Sequence, residues 1–327
     1  MIETYDLPPP LAKLKRYWEH ARNHSGGKRF YTLYIFFDML YCRLVFGAYQ
    51  DSYAMYELHR FNRFQSGDFL TYKTQSRFWK QFNSEEAHRL FVNKFRFNQR
   101  FSAFIGRRYL LADASSAEAV RKFIETAGQV IVKPVDDHCG YGIFRLDGGD
   151  APAVENFIAS LRDRTFIIEE LVRNAEALRR LNPHSLNTLR VVTCIDRAGQ
   201  AHVISATLRM GRGTSCVDNA HSGGIACSVN LDEGIVDSYA LDHAGNRFLV
   251  HPQTGETIIG LRIPHWERMM PYLERLAAVE PAARYVGWDI AVTEDGFELI
   301  EGNTDHDSDV MQMCHLIGRR RQIRVLL

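Results

Sequence analysis

The stretch GWDIAVTEDGFELIEGN, residues 287–303, sets three oxygen-bearing side chains, Asp289, Glu301 and Asn303, around one tight turn among apolar neighbours. Gly296 can end a three-residue loop, Glu294–Asp295–Gly296, that needs a left-handed residue at its last position. Such a loop pairs Thr293 with Phe297, Ala291 with Leu299 and Asp289 with Glu301, and cross-strand partners share a face. Asn303, two residues beyond Glu301, stays on that face if the strand continues. Like charges side by side cost stability unless something neutralises them. A hard divalent cation does so, and magnesium takes oxygen ligands and completes its shell with phosphates. The expectation hangs on loop length: a four-residue loop shifts the register by one and separates the acids. The bland alternative is two surface acids and a turn asparagine.

Cations that suit phosphate occur elsewhere. Lys133 ends the apolar run QVIVKP and can act as a point charge. The turn DDHCGYG follows, where Gly140 and Gly142 let backbone amides approach phosphate oxygens. There is neither a GxxxxGK nor a GxGxxG with its helix, and an ordinary turn explains the segment as well. His138 and Cys139 lack supporting ligands nearby. Lys94 is a second cation on a helix, and Arg190, Arg209 and Arg212 lie on or beside strands, where an arginine fork matches phosphate or carboxylate oxygens. Each alone also reads as a surface or salt-bridge residue. In FIIEELV the strand turns acidic and then irregular. Its edge can meet an adenine through backbone groups near Val172, with Glu169 or Glu170 at the amino group or the ribose. DNAHSGG, residues 218–224, is a loop that could cover a substrate.

The elements that must position these residues follow from period and punctuation. Residues 1–103 read as helical and aromatic: PPPLAKLKRYWEHAR runs from the prolines to a break at NHSGG, and NSEEAHRLFVNKFRFNQRFSAFI reads as one helix capped by Asn83 or Ser84. Residues 104–180 alternate helix and strand: SAEAVRKFIETAG ends at Gly128, QVIVKP stops at Pro134, then come a turn, a strand, the helix APAVENFIASLRDR and the strand TFIIEELV. Residues 181–327 hold NTLRVVTCID, AHVISATLRMG, the helix PHWERMMPYLERLAAV and the hairpin 287–302. Short strands beside isolated helices predict an α+β (α/β) chain of two units rather than a long parallel sheet.

Composition narrows the classes. The chain has 327 residues, 46% hydrophobic and 24% charged, with a net charge of +1, so nothing favours a nucleic-acid partner. Six scattered cysteines without a CxxC suggest reduced thiols and a cytoplasmic protein. The run 31–49, YTLYIFFDMLYCRLVFGAY, is the most membrane-like segment. It carries Asp38 and Arg43 and is expected to be a buried or half-buried helix without stable membrane insertion, with peripheral membrane contact as the alternative. A homodimer is compatible with the sequence.

In their order, Lys94, VIVKP with its glycine turn, FIIEELV, NTLRVV, LRMGRG…DNAHSGG and GWDIAV…FELIEGN, these segments resemble the ATP-grasp superfamily. The nearest resemblance is to its sugar-transfer-associated branch, beside the alpha-L-glutamate-ligase-like group. The likeness covers residues 90–325 and extends to the aromatic leader. It implies ATP held between two α+β subdomains, with Lys94 and Lys133 on phosphate. It puts Glu169, Glu170 and Val172 on the adenine side, and Asp289, Glu301 and Asn303 on magnesium, typically two ions. Arg190 and Arg209 fall near positions facing phosphate or acceptor. Some relatives carry an arginine just before the metal aspartate. Here Gly287 and Trp288 precede it, so Arg209 or Arg212 would take that part. The acidic TDHDSD after Asn303 suits a cationic or amino-bearing acceptor, or is a solvated loop.

The implied reaction is carboxylate–amine ligation through an acyl phosphate, on a small carboxylate and an amine of amino-acid or amino-sugar type. Two alternatives use the same residues: a kinase that stops after transfer to a hydroxyl, and a nucleotide-binding protein without turnover that serves polysaccharide biosynthesis.

Overall fold

The structure, a computed structural model, describes residues 10–136, 142–213 and 223–326, with side chains from residue 14 onward. Seven helices come first: α1 (Pro10–His24), α2 (Arg29–Val45), α3 (Gln50–Met55), α4 (Arg63–Ser66), α5 (Tyr72–Phe82), α6 (Glu85–Val92) and α7 (Lys94–Arg100). The sequence reads α6 and α7 as one helix. Asn93 breaks it, because its extended backbone cannot continue the helix while its side chain caps α7 by accepting from the Arg96 amide. Ser84, not Asn83, caps α6, accepting from the Ala87 amide at 3.1 Å.

The next segment contains β1 (Tyr109–Ala112), α8 (Ala117–Ala127), β2 (Gln129–Pro134), β3 (Phe144–Asp147), α9 (Ala151–Ser160) and β4 (Phe166–Glu170). Its strands form an antiparallel sheet in the order β1-β4-β2-β3. One face is covered by α8 and α9, through Val120, Ile124, Val154 and Phe157 against Val130, Val132 and Ile168. The other face carries Lys133 and Glu169.

After α10 (Glu176–Arg179) come β5 (Thr188–Ile195), β6 (Ala201–Met210), β7 (Ile225–Val229), the two-residue strands β8 (Ala240–Leu241) and β9 (Arg247–Phe248), α11 (Met269–Ala278), β10 (Tyr285–Val292), β11 (Phe297–Asn303), α12 (Val310–Met313) and α13 (Arg320–Leu326). The seven strands form a second sheet in the order β11-β10-β5-β6-β7-β8-β9. Every residue of β10 is buried, so its sequence runs apolar instead of alternating. Leu189, Val191, Leu208, Trp288 and Ile290 pack one way, with α11 and the phenylalanines of α6 and α7. Val192, Cys194 and Tyr285 pack the other way, against Phe78 and Phe82 of α5 and Ile323 of α13. The first helices hold their own cluster around Ile35, Met39, Tyr53 and Tyr56.

The hairpin corrects the expected loop. Val292 pairs with Phe297, Ala291 with Glu298 and Ile290 with Leu299, so four residues, Thr293 to Gly296, make the turn. Thr293 donates its amide to the Gly296 carbonyl at 2.8 Å, and Gly296 has φ +150°, a region open to glycine. The register then shifts between Asp289 and Ile290, which leaves Ile300 as an extra, bulged residue. Beyond the bulge Asp289 pairs with Glu301 after all. The acids meet as expected, by a different route.

Candidate active site

A cleft of about 440 Å³ lies between the two sheets, within the range of small-molecule sites. Ten residues singled out from sequence line it: Lys94, Lys133, Glu169, Glu170, Val172, Arg190, Arg209, Asp289, Glu301 and Asn303. Two described ones do not. Arg212 turns to the Gly223 carbonyl and to Asp242, at 3.5 Å, outside the lining. Gly142, with φ +70°, is likewise outside the lining. Gly140, His138, Cys139 and most of DNAHSGG lie outside the described residues.

On the floor of the cleft Asp289 is almost fully buried and is gripped by two arginines. Arg190 donates through Nε at 2.5 Å and Nη2 at 3.0 Å, and Arg209 donates through Nη1 to both carboxylate oxygens at 3.0 and 3.1 Å. The register explains the grip, since Asp289 pairs with Arg190 on β5 and Arg209 lies one strand further on. Burial would raise this carboxyl, but the two guanidinium groups hold it well below the usual carboxylate range. Glu301 goes the opposite way: burial and the neighbouring Asp289 charge push it up, only partly offset by Lys133 and Lys94. Asn303 donates Nδ2 to Glu301 Oε1 at 3.2 Å.

These donors fit a hard cation. All are oxygens, and burial together with the Asp289 charge raises the Glu301 carboxyl, a cost that a bound cation would offset. Among the described residues no group of three or more His, Cys, Asp or Glu side chains could hold a metal by itself. Two carboxylates and an amide suit magnesium carried by phosphates rather than a free-standing ion.

The roof is β2 and β4. Lys133 Nζ bonds Glu169 Oε2 at 2.5 Å, and both are buried. Glu169 also accepts from Asn98 Nδ2 at 2.7 Å and Arg107 Nη2 at 3.0 Å. Burial would raise its carboxyl, yet Arg107 and Lys133 hold it well below the usual range. Glu170 instead binds Arg108, which donates through Nη2 at 2.6 Å and Nε at 2.8 Å. Both glutamates line the cleft, and Glu169 is the buried one. Past Glu170 the chain leaves its strand, and Leu171 and Val172 line the cleft beside it.

Three positions that brace the cleft escape sequence reasoning. Arg107, just before β1, bonds Glu169 on one sheet and Glu298 Oε1 (2.8 Å), the Leu299 carbonyl (2.6 Å) and the Ile300 carbonyl (3.2 Å) on the other. It clasps the two sheets and the bulge together. Its only sequence signal is a charge beside an apolar strand, which is too common to single it out. Asn98 is a helix-interior polar residue. Asn83, read as a helix cap, donates Nδ2 to the carbonyls of Tyr285 and Thr304, each at 2.8 Å, and accepts the Tyr285 amide at 2.9 Å.

The loop after Asn303 forms one end of the cleft, and the helical region holds it. Gln75 accepts the Ser308 amide at 3.1 Å, Tyr56 bonds Asp309, and His88 Nδ1 meets Thr304 Oγ1 at 2.8 Å. His306 is buried over Gly287, where an added Cβ would lie 2.7 Å from the imidazole, and its ring packs on Tyr285 at 4.6 Å. Burial and the Arg190 charge push its imidazole down to about 4.

The cysteines in view, Cys42, Cys194, Cys227 and Cys314, are free thiols. None of the described helices is long and apolar enough to cross a membrane.

No curated protein matches the chain in sequence. Solved structures similar to it include the ATP-grasp ligase PsnB complexed with minimal precursor, at 16% identity and a TM-score of 0.46, over 75% of this chain and 63% of that one. D-cycloserine synthetase DcsG matches at 14% identity and a TM-score of 0.49, over 75% and 72%. D-alanyl-alanine synthetase A from Vibrio cholerae matches at 17% identity and 0.42, over 69% and 59%. The chain thus spans less than two thirds of the PsnB and D-alanyl-alanine synthetase chains. The family profile is the decisive comparison: it matches residues 73–324, from α5 to α13, and takes in both sheets and the cleft between them. The chain belongs to the sugar-transfer associated ATP-grasp family.

Proposed function

We propose that the chain is an ATP- and magnesium-dependent carboxylate–amine ligase. The observation that carries this reading is the meeting, in one cleft, of a crowded acid pair with an amide (Asp289, Glu301, Asn303) and four cations (Lys94, Lys133, Arg190, Arg209). Such a set suits a triphosphate and its metal.

Asp289, Glu301 and Asn303 would hold magnesium, which would supply positive charge against that of the phosphates. Lys133 and Lys94 neutralise the phosphates as point charges. Arg190 and Arg209, both on Asp289, can each turn a donor to the transferring phosphoryl group and meet the charge that builds there. The backbone of Leu171 and Val172, free of the strand ladder, is placed to meet the base. Glu169, locked by Arg107, Asn98 and Lys133, fixes the lysine's direction.

A substrate carboxylate then takes the γ-phosphoryl group, giving ADP and an acyl phosphate. An amine displaces phosphate and leaves the amide. No enzyme nucleophile is required, in keeping with the buried thiols of Cys194 and Cys227. Asp305 and Asp307 at the cleft end suit a cationic amine of amino-acid or amino-sugar type. A cytoplasmic setting accords with the free thiols.

The test is an ADP-release screen in which carboxylates and amines are added singly and together. Ligation requires release only with both, and an amide product by mass. A stable phosphorylated product with one substrate alone would replace the ligase with a kinase.

A further inference from the structure

The aromatic helix α2 is buried on one side only. Thr32, Ile35, Asp38, Met39 and Cys42 face the helical cluster. Phe30, Leu33, Tyr34, Phe37, Tyr41 and Leu44 face outward, with Phe30 88%, Phe37 63% and Leu44 78% exposed. At 3.6 residues per turn these outward positions fall within about a third of the helix circumference. Arg63 stacks on Tyr41 at 4.1 Å, which brings α4 and its 70% exposed Phe64 beside the stripe. A contiguous apolar face of this kind marks an interaction site.

We infer that this face docks on an anionic lipid bilayer surface. Charge favours this partner. Residues 10–63 hold nine Lys or Arg against four Asp or Glu, a net of +5, whereas the whole chain carries +1. Lys28 and Arg29 flank one end of the stripe. Arg43, over the Tyr49 ring at 4.0 Å, flanks the other. The one acid of α2, Asp38, is turned inward, where Tyr53 Oη donates to it at 2.6 Å and Arg63 pairs with it.

A second copy of the chain fits poorly. Antiparallel pairing of two α2 helices sets Lys28 and Arg29 against Arg43, and parallel pairing sets like ends together. An anionic bilayer attracts both ends, while tyrosines and phenylalanines enter the headgroup boundary. At 17 residues, with Asp38 within it, α2 lies in the plane of the surface and does not cross. This inference does not depend on which reaction the cleft performs.

The test is flotation of the full chain with vesicles of phosphatidylcholine alone and of phosphatidylcholine mixed equally with phosphatidylglycerol. Binding is expected to the anionic vesicles, weakened by salt. Each of Lys28→Gln and Arg29→Gln should lower partitioning about fivefold, and the exposed pair Phe37→Glu with Leu44→Glu should abolish it with the thermal midpoint kept. Sedimentation velocity of the same proteins checks self-association. Three results would overturn the inference: no binding of the unaltered chain to either vesicle, binding that ignores both sets of substitutions, or a dimer that the Phe37 and Leu44 substitutions split.

Discussion

Glu301 lies opposite Asp289 across β10 and β11, and the bulge at Ile300, not the turn, makes the match. Arg107 holds that bulge by donating to the Leu299 and Ile300 carbonyls, while its other contacts reach Glu169 on the facing sheet. Arg107→Met strands the buried Glu169, the half-buried Glu298 and two carbonyls, and should cost about 3–5 kcal/mol in urea unfolding. Arg107→Lys keeps the charge but loses the fork. It should weaken magnesium–nucleotide binding more than it weakens the fold. Calorimetric titration showing unchanged nucleotide affinity in Arg107→Lys would separate the bulge from the site.

The crowded acid pair makes a second prediction about metal. With phosphates needed to complete the shell, magnesium alone should shift the thermal midpoint little, and magnesium with ADP should raise it clearly. Glu301→Gln removes the carboxyl that burial and Asp289 push up, so the unliganded protein should keep or gain stability. The same variant should lose the rise with magnesium–ADP, and its turnover. Differential scanning fluorimetry with each addition checks both halves. A large shift with magnesium alone in the unaltered protein would point to a free-standing metal site.

The Lys133–Glu169 contact bears on nucleotide affinity in a way the single lysine variant hides. Lys133→Ala removes a phosphate contact but also leaves Glu169 buried with Arg107 and Asn98 alone. We expect Lys133→Ala to weaken ATP binding and also to lower stability, by about 3 kcal/mol if the pair behaves as buried pairs do. The double variant Lys133→Met, Glu169→Gln should recover most of the stability and none of the ATP affinity. A double-mutant cycle on unfolding and on binding tests this. Recovery of binding in the double variant would take Lys133 off the phosphates.

Much of this was legible in order and type of residue. Gly128 and Pro134 bound their elements as local chemistry requires, and the acids of the last hairpin were found in partnership. Loop length was not legible, because a four-residue turn followed by a bulge returns the register a three-residue turn gives. Two opposite errors cancel at Asp289 and Glu301. Arg107, Asn98 and Asn83 act through contacts with residues 62 or more positions away, and no local period reports such contacts. The Arg212 contact with Asp242 was hidden for the same reason: its place beside a strand is local, but that partner is not.

Protons at the loop after Asn303 give a stability signature. The His306 imidazole lies at about 4 in the fold against an ordinary 6.5, so between these values the unfolded chain binds the proton more readily. Stability from this group is full above about pH 6.5 and is lost as pH falls through the window toward 4. At pH 5 the loss amounts to about 2 kcal/mol relative to pH 7. Urea unfolding at both pH values should show that His306→Gln has the smaller difference by about that amount. Equal differences in the two proteins would mean that His306 is solvated in the fold.

Asn83 ties the helical region to the two ends of the last hairpin, binding backbone at Tyr285, the first residue of β10, and at Thr304 just after β11. Asn83→Ala leaves three buried backbone groups without that partner, so about 3 kcal/mol of stability should go at roughly 1 kcal/mol or more for each group. Asn83→Asp keeps an acceptor for the Tyr285 amide and loses both donations to carbonyls. Because Thr304 starts the loop that carries Asp305 to Asp307, the Asp variant should raise KM for the acceptor several-fold and leave nucleotide affinity near normal. That split distinguishes a hold on the acceptor end from a general loosening of the sheet, which would weaken nucleotide binding to the same degree. Steady-state kinetics with the acceptor found in the ADP-release screen, beside calorimetric titration with ADP and magnesium, reads the two quantities separately.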